Sequence, residues 1–136
     1  MADISITAAN VKLVSGPTED ISAGATVTAF QAVYKEAATS KAKLSDNDSA
    51  TAEVRALRGM ALHAALADQP LKIAKNGAIV DVGAVLTAGV EYYVSGTPGG
   101  ICPRADVTTG DDPIRVGIAL TTSRIELDFA DPNVTL

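Results

Sequence analysis

Apolar and polar positions alternate along this chain in short runs broken by turn-forming residues. Ile4 and Ile6 are flanked by Asp3, Ser5 and Thr7, and Val11 and Leu13 by Asn10 and Lys12. A period of two is the pattern of a half-buried strand. Ser15-Gly16-Pro17-Thr18-Glu19-Asp20 interrupts it with turn residues. The pattern predicts an early strand set apart from the rest, which needs a partner in its own domain or in another chain.

The remainder repeats itself. Residues 23–36 (AGATVTAFQAVYKE) and 82–95 (VGAVLTAGVEYYVS) align at a shift of 59 (82 − 23), with Gly24/Gly83, Ala25/Ala84, Thr28/Thr87, Ala29/Ala88 and Tyr34/Tyr93 identical. Gly59-Met60-Ala61-Leu62 then matches Gly117-Ile118-Ala119-Leu120 at a shift of 58 (117 − 59). Each match is followed by a strand-like segment, Leu71-Lys72-Ile73 or Ile125-Glu126-Leu127. Two copies are too few for a solenoid. The prediction is two similar halves, residues 23–74 and 82–129, of one β domain. Each half has a Gly turn, a strand reaching the shared Tyr, an Asp-bearing loop, a Gly-x-Ala-Leu strand and a last alternating strand.

Two local signals refine this. Lys75-Asn76-Gly77 predicts a hairpin with a type I′ turn, because Asn-Gly tolerates positive φ, and strands at 71–74 and 78–82 fit on either side. Residues 49–57 are rich in helix formers, Asp48 or Ser49 is a candidate cap and Glu53 a candidate capping-box acid. Residues 49–67 taken alone read as one long helix. The repeat instead places a strand after Gly59, and so predicts a short helix at about 49–56. The expected fold is mainly β, a compact β-barrel or sandwich-like domain built from two similar halves, with one short helix and an extended N-terminal arm. The arm is residues 1–20 and the β-rich domain residues 21–136.

At 136 residues the chain has the size of one compact domain. Sixteen acidic against 11 basic residues give a formal net charge of −5, so a basic footprint for nucleic acid is missing. No run approaches the roughly 18 apolar residues that cross a bilayer, so no membrane is expected. Aromatics are 4% and Trp is absent, which supplies base and sugar stacking poorly. The one cysteine, Cys102, cannot form an internal disulfide, and no signal-peptide pattern opens the chain, so synthesis in a cytoplasm is the expectation.

Candidate chemistry is sparse. His63 is the one histidine and no nucleophile stands in a Gly-x-Ser-x-Gly context, so it reads as a surface histidine rather than a catalytic base. Cys102, between Ile101 and Pro103, reads as a small buried apolar residue. Ser45-Asp46-Asn47-Asp48 and Gly110-Asp111-Asp112 offer oxygens to Ca²⁺, but the first lacks the glycine and closing Glu of an EF-hand loop, and both read as solvated turns. Gly96-Thr97-Pro98-Gly99-Gly100 lacks the Gly-Lys-Ser/Thr ending of a phosphate loop and reads as a turn. Lys75, at the Asn-Gly tip, stands where lipoyl and biotinyl carrier domains expose theirs, without the flanking Asp-Lys-Ala or Met-Lys-Met. The expectation is no catalytic site, no cofactor and no metal.

The order of segments is more informative. Ile4-Ser5-Ile6-Thr7-Ala8-Ala9-Asn10-Val11 opens the chain, followed by residues 21–29, Ala32-Val33-Tyr34, residues 44–52, Arg58-Gly59-Met60-Ala61-Leu62, Asp68-Gln69-Pro70, residues 83–89, Tyr92-Tyr93-Val94-Ser95, Gly99-Gly100-Ile101-Cys102-Pro103 and Arg115-Val116-Gly117-Ile118-Ala119. Over nearly its whole length the chain resembles the small capsid decoration (cement) proteins of tailed bacteriophages and the related head-fibre base domains. It departs at Phe30-Gln31-Ala32-Val33-Tyr34, where members often carry Gly-Gln-Pro-Val-Tyr. The resemblance implies a β-rich homotrimer that binds the major capsid protein on the outside of an assembled head and stabilises it. It implies no enzymatic activity and no cofactor, and a virion location after synthesis in the host cytoplasm. Within such a protein, Ile4, Ile6, Val11, Leu13 and Val14 are too apolar for a free tail, and are the expected capsid or subunit interface. The alternatives are a carbohydrate- or cell-surface-binding module of a phage fibre, and a small hydrolase using His63.

Overall fold

The computed structural model describes residues 3–132 and 134–136. Among these, the chain up to residue 74 contributes β1 (Lys12–Ser15), β2 (Thr18–Ser22), β3 (Ala32–Glu36), β4 (Lys41–Leu44), the one-turn helix α1 (Ala52–Arg55), β5 (Gly59–Ala61) and β6 (Pro70–Ala74). The rest contributes β7 (Ile79–Asp81), β8 (Glu91–Val94), β9 (Ile101–Pro103), β10 (Arg115–Ala119) and β11 (Arg124–Ala130). The strands form two antiparallel sheets, one of order β2-β6-β5-β3-β4 and one of order β1-β7-β11-β10-β8-β9. The fold is mainly β and sandwich-like. A single parallel bridge, Ala23 with Ala42, draws the outer strands of the five-stranded sheet together at one end, but no ladder closes a barrel.

Apart from β1, the two sheets follow one connection order, and their registers agree. Val33 of β3 lies opposite Leu44 and Gly59, and Tyr92 of β8 lies opposite Pro103 and Gly117. Tyr34 and Tyr93 are each the third residue of their strand. Val27 N–H donates to Ala65 O at 2.8 Å as Leu86 N–H does to Thr122 O at 2.9 Å. The recurring Gly has a steric cause. A Cβ on Gly59 would lie 2.7 Å from Ala74 O, and one on Gly117 would overlap Glu126 O outright. Both glycines let β5 and β10 lie against the following strand. The halves differ in their turns: Gly83 has φ +81° whereas Gly24 does not adopt positive φ. Phe30, at φ +59°, takes the left-handed conformation that Gly89 takes at +82°.

Alternation decides which residue enters which core. Ala32, Met60 and Ala74 face the other sheet and join Val80, Val94, Ile114, Ile125 and Leu127 in the main core. Their neighbours Val33, Ala61 and Ile73 point to the opposite face of the same sheet, where they pack with Val27 and Leu71 inside its curl.

Three expectations are corrected. Lys75-Asn76-Gly77 does not close a hairpin, since β6 and β7 belong to different sheets. Only Gly77 has positive φ (+92°) and Ala78 N–H donates to Lys75 O, which makes this a type II turn. Its side chain and backbone serve tertiary contacts instead: Asn76 Oδ1 accepts from Phe129 N–H at 2.8 Å, and Gly77 N–H donates to Leu127 O. The alternating residues around Ile4 and Ile6 form no ladder strand, and lead through a 3-10 turn, Ala8–Asn10, into β1. The arm also ends earlier than residue 20, because Thr18, Glu19 and Asp20 already pair with β6.

Glu19 anchors β2 by a two-pronged pair in which Arg58 Nε and Nη2 donate to its carboxylate oxygens at 2.8 and 2.6 Å, with Lys75 Nζ at 3.6 Å. The Arg58 hydrogen bond, opposed by partial burial and aided by Lys75, lowers its pKa from 4.5 to about 2. A depressed carboxyl contributes stability above its unfolded pKa and loses it as pH falls towards the folded value. The unfolding midpoint of the protein is therefore expected to drop between pH 4.5 and 2. Glu19→Gln should flatten that part of the profile. An identical profile in the variant would show that Glu19 does not carry it.

Candidate functional site

The residues expected to grip a partner divide into two groups. Ile4 N–H donates to Ile101 O at 2.9 Å, on the outer edge of β9. Ile4 and Ile6 are partly buried against the main core, and Val11 is inside it. Beyond Val11 the chain pairs with β7, at the opposite edge of the same sheet. The arm thus spans the six-stranded sheet from one edge to the other, and its partner strand lies in its own chain. Leu13 and Val14 are 39% and 41% exposed.

All four residues of β1 are exposed, so neither of its faces is covered. Its outer edge is the open end of the sheet order. The register shifts between Leu13 and Ser15, which makes Val14 the extra residue of a bulge. A bulged edge discourages unspecific pairing while leaving side chains free to bind. The structure therefore brings Leu13 and Val14 together on the outside and turns Ile4, Ile6 and Val11 inward.

A second apolar surface lies partly within the Ala-rich, low-charge stretch of residues 78–94, which the sequence suits to a subunit interface. Val85 and Leu120 are 38% and 48% exposed, on two loops joined by the Leu86–Thr122 and Gly89–Ala119 backbone hydrogen bonds. Residues 83–89 carry no charge. Leu120 closes the second Gly-x-Ala-Leu segment, and alternation alone reads it as core. β10, however, ends at Ala119, and Leu120 belongs to the turn.

The remaining candidates serve the fold. His63 is exposed, with Nε2 accepting from Lys72 N–H at 3.1 Å and Nδ1 at 2.9 Å from Ala64 O, so both ring nitrogens brace local backbone. Cys102 is buried on β9, and burial, then Asp3 and Asp106, push its thiol up to about 12, which removes the thiolate that reactivity needs. Lys75 sits at the sheet crossover beside Glu19 rather than at a projecting tip. Gly96 to Gly100 form a turn closed by Gly100 N–H to Thr97 O at 2.8 Å.

The two Asp-bearing turns meet. Asp112 N–H donates to Asn47 O at 2.8 Å, Asn47 N–H to Ser95 O, and Asn47 Nδ2 to Val94 O at 2.9 Å. Asp112, 3% exposed, receives Arg55 Nη1 at 2.8 Å and the Thr135 hydroxyl at 2.6 Å. Asn47 is fully buried and ties the β4–α1 loop to the β8 end of the other sheet. Among the described residues no three His, Cys, Asp or Glu side chains converge as metal ligands.

No protein-family model matches the chain, and no curated protein matches its sequence.

Proposed function

We propose that the chain is a structural virion protein that binds the outside of an assembled phage capsid as a decoration protein and stabilises it. The observation that carries this reading is the outward pair Leu13 and Val14 on the open edge of β1. An extended segment of the major capsid protein adds to such an edge through main-chain hydrogen bonds, with the two side chains supplying selectivity. The acidic, two-sheet scaffold behind it gives area and shape rather than reactive groups. The fibre-module alternative needs exposed rings for sugar stacking, whereas Phe30, Tyr34, Tyr92 and Tyr93 are buried and Phe129 is partly buried against the main core.

The direct test is sedimentation of the purified protein with expanded and unexpanded heads of its phage. Co-sedimentation with expanded heads is expected. Leu13→Asp and Val14→Asp should abolish it while leaving the unfolding free energy within about 0.5 kcal/mol of the parent, as surface substitutions do. Folded variants that bind heads as well as the parent would remove β1 from the interface, and a parent that never co-sediments would overturn the function.

The same reading includes a homotrimer, which gives three weak edge contacts a common avidity. Its subunit contact is the uncharged surface of Val85 and Leu120. Light scattering is expected to give three chains at micromolar concentration, and one for Leu120→Lys. A monomeric parent would refute the trimer.

A further inference from the structure

We infer that Asn76 is a deamidation site that the docking of β11 holds shut: it stays an amide while β11 is in place, and converts to aspartate and isoaspartate when that contact opens. The inference goes beyond the decoration role and holds whether or not the chain binds a head.

It starts from the chemistry of the dipeptide. Of the asparagines in the chain, Asn76 alone precedes a glycine. Without a Cβ, Gly77 leaves its amide nitrogen open to approach. Hydroxide takes the proton from that nitrogen, which attacks Asn76 Cγ and closes a five-membered imide. The bond from Cγ to the side-chain nitrogen breaks, and ammonia leaves with a proton from water. Water then opens the imide at either carbonyl, giving Asp or isoAsp at position 76. Water and hydroxide are the co-reactants, and both residues are exposed to them.

The fold opposes each part of that closure. Asn76 Oδ1 accepts from Phe129 N–H at 2.8 Å, and Gly77 N–H donates to Leu127 O at 2.8 Å, so both reacting groups are tied to β11. The imide needs the Gly77 nitrogen on the side of Asn76 Cβ. At the second position of a type II turn, ψ of about +120° holds it about 120° away. Turning it back breaks the bond to Leu127 and the turn bond from Ala78 N–H to Lys75 O. The ends of the turn are clamped as well. Lys75 N–H donates to Pro17 O at 3.0 Å, and a Cβ on Gly16 would lie 2.5 Å from Ala78 Cα. The turn therefore cannot rotate by itself, and β11 must release it first. The same clamp gives the product its consequence. IsoAsp adds one backbone carbon between β6 and β7, where the chain has no slack, so a converted molecule does not recover the parent fold.

The test incubates the full chain in mildly alkaline buffer and follows the amide-to-acid mass gain on residues 73–104, a tryptic stretch in which Asn76 is the one amide side chain. The folded parent is expected to convert at least about tenfold more slowly than the same chain unfolded in guanidinium chloride at that pH. Phe129→Pro removes the N–H that holds Asn76 Oδ1, and as a folded protein it should convert several-fold faster than the parent. If that variant does not fold, graded guanidinium decides with the parent alone: conversion should climb in step with the fraction of opened chains. A folded parent that converts as fast as the unfolded chain, a rate that stays level through the unfolding transition, or a folded Phe129→Pro that keeps the parent's rate would each overturn the inference.

Discussion

Gly117→Ala is expected to lower stability by about 3 kcal/mol or more, beyond the usual range for adding one methyl group to a packed core. The reason is backbone against backbone. In β10 the missing side chain of Gly117 would stand on Glu126 O, with Glu126 C at 3.0 Å and Leu127 Cα at 3.1 Å. A carbonyl locked in the β10–β11 ladder cannot rotate away as a side chain does. The matching Gly59→Ala meets Ala74 O at 2.7 Å and the movable end of Ile73 at 2.8 Å, so it should cost less. Gly89→Ala is the control: no atom lies within 4 Å, and the strain of φ +82° alone should cost about 1–2 kcal/mol. Urea unfolding of the three variants checks the order. Gly117→Ala within 1 kcal/mol of the parent would show that β10 and β11 can separate to admit a methyl.

The same glycines explain how much of the fold was readable. A period of two and the recurring Gly-x-Ala-Leu segments report local geometry, and β5 and β10 lie where those segments stand. They also fix the limit of α1, since helix formers at 49–57 could not carry a helix through Gly59 against the β5–β3 pairing. Asn76-Gly77 carries the signal of a hairpin and closes none, because turn chemistry states how the chain bends and not which sheet receives it. Its real task, capping β11 through Phe129 N–H, is a contact across 53 residues. The apolar arm failed similarly. Ile4, Ile6 and Val11 have the same alternation whether they bury into their own domain or another chain. Only the position of β7 and β9 decides which. Leu120 stands outside β10 because the Gly-x-Ala-Leu repeat does not report where the strand ends.

Removing residues 2–14 is therefore expected to cripple the fold rather than to release a stable core that merely fails to bind. Val11 is 9% exposed within the main cluster, and Ile4 and Ile6 cover that cluster from outside. Burial of such side chains contributes about 1.5–3 kcal/mol each when complete, so the three together carry about 4 kcal/mol after allowing for the partial burial of the two isoleucines. That is a large share of the about 5–15 kcal/mol that holds a domain of this kind together. The deletion also strips β1 from β7, leaving a three-residue strand as a bare edge beside newly exposed core, which favours association between chains. Calorimetry should show a much lower or a lost transition, and light scattering should show soluble aggregates. The pair of measurements separates two roles within one segment. Val11→Ala is expected to lower the unfolding free energy by about 1–2 kcal/mol without touching head binding at low temperature, whereas Leu13→Asp does the reverse. If the truncated chain unfolds with the parent's midpoint and cooperativity, the arm contributes nothing to its own domain, and its burial across the six-stranded sheet is a resting place from which it can exchange onto a neighbour.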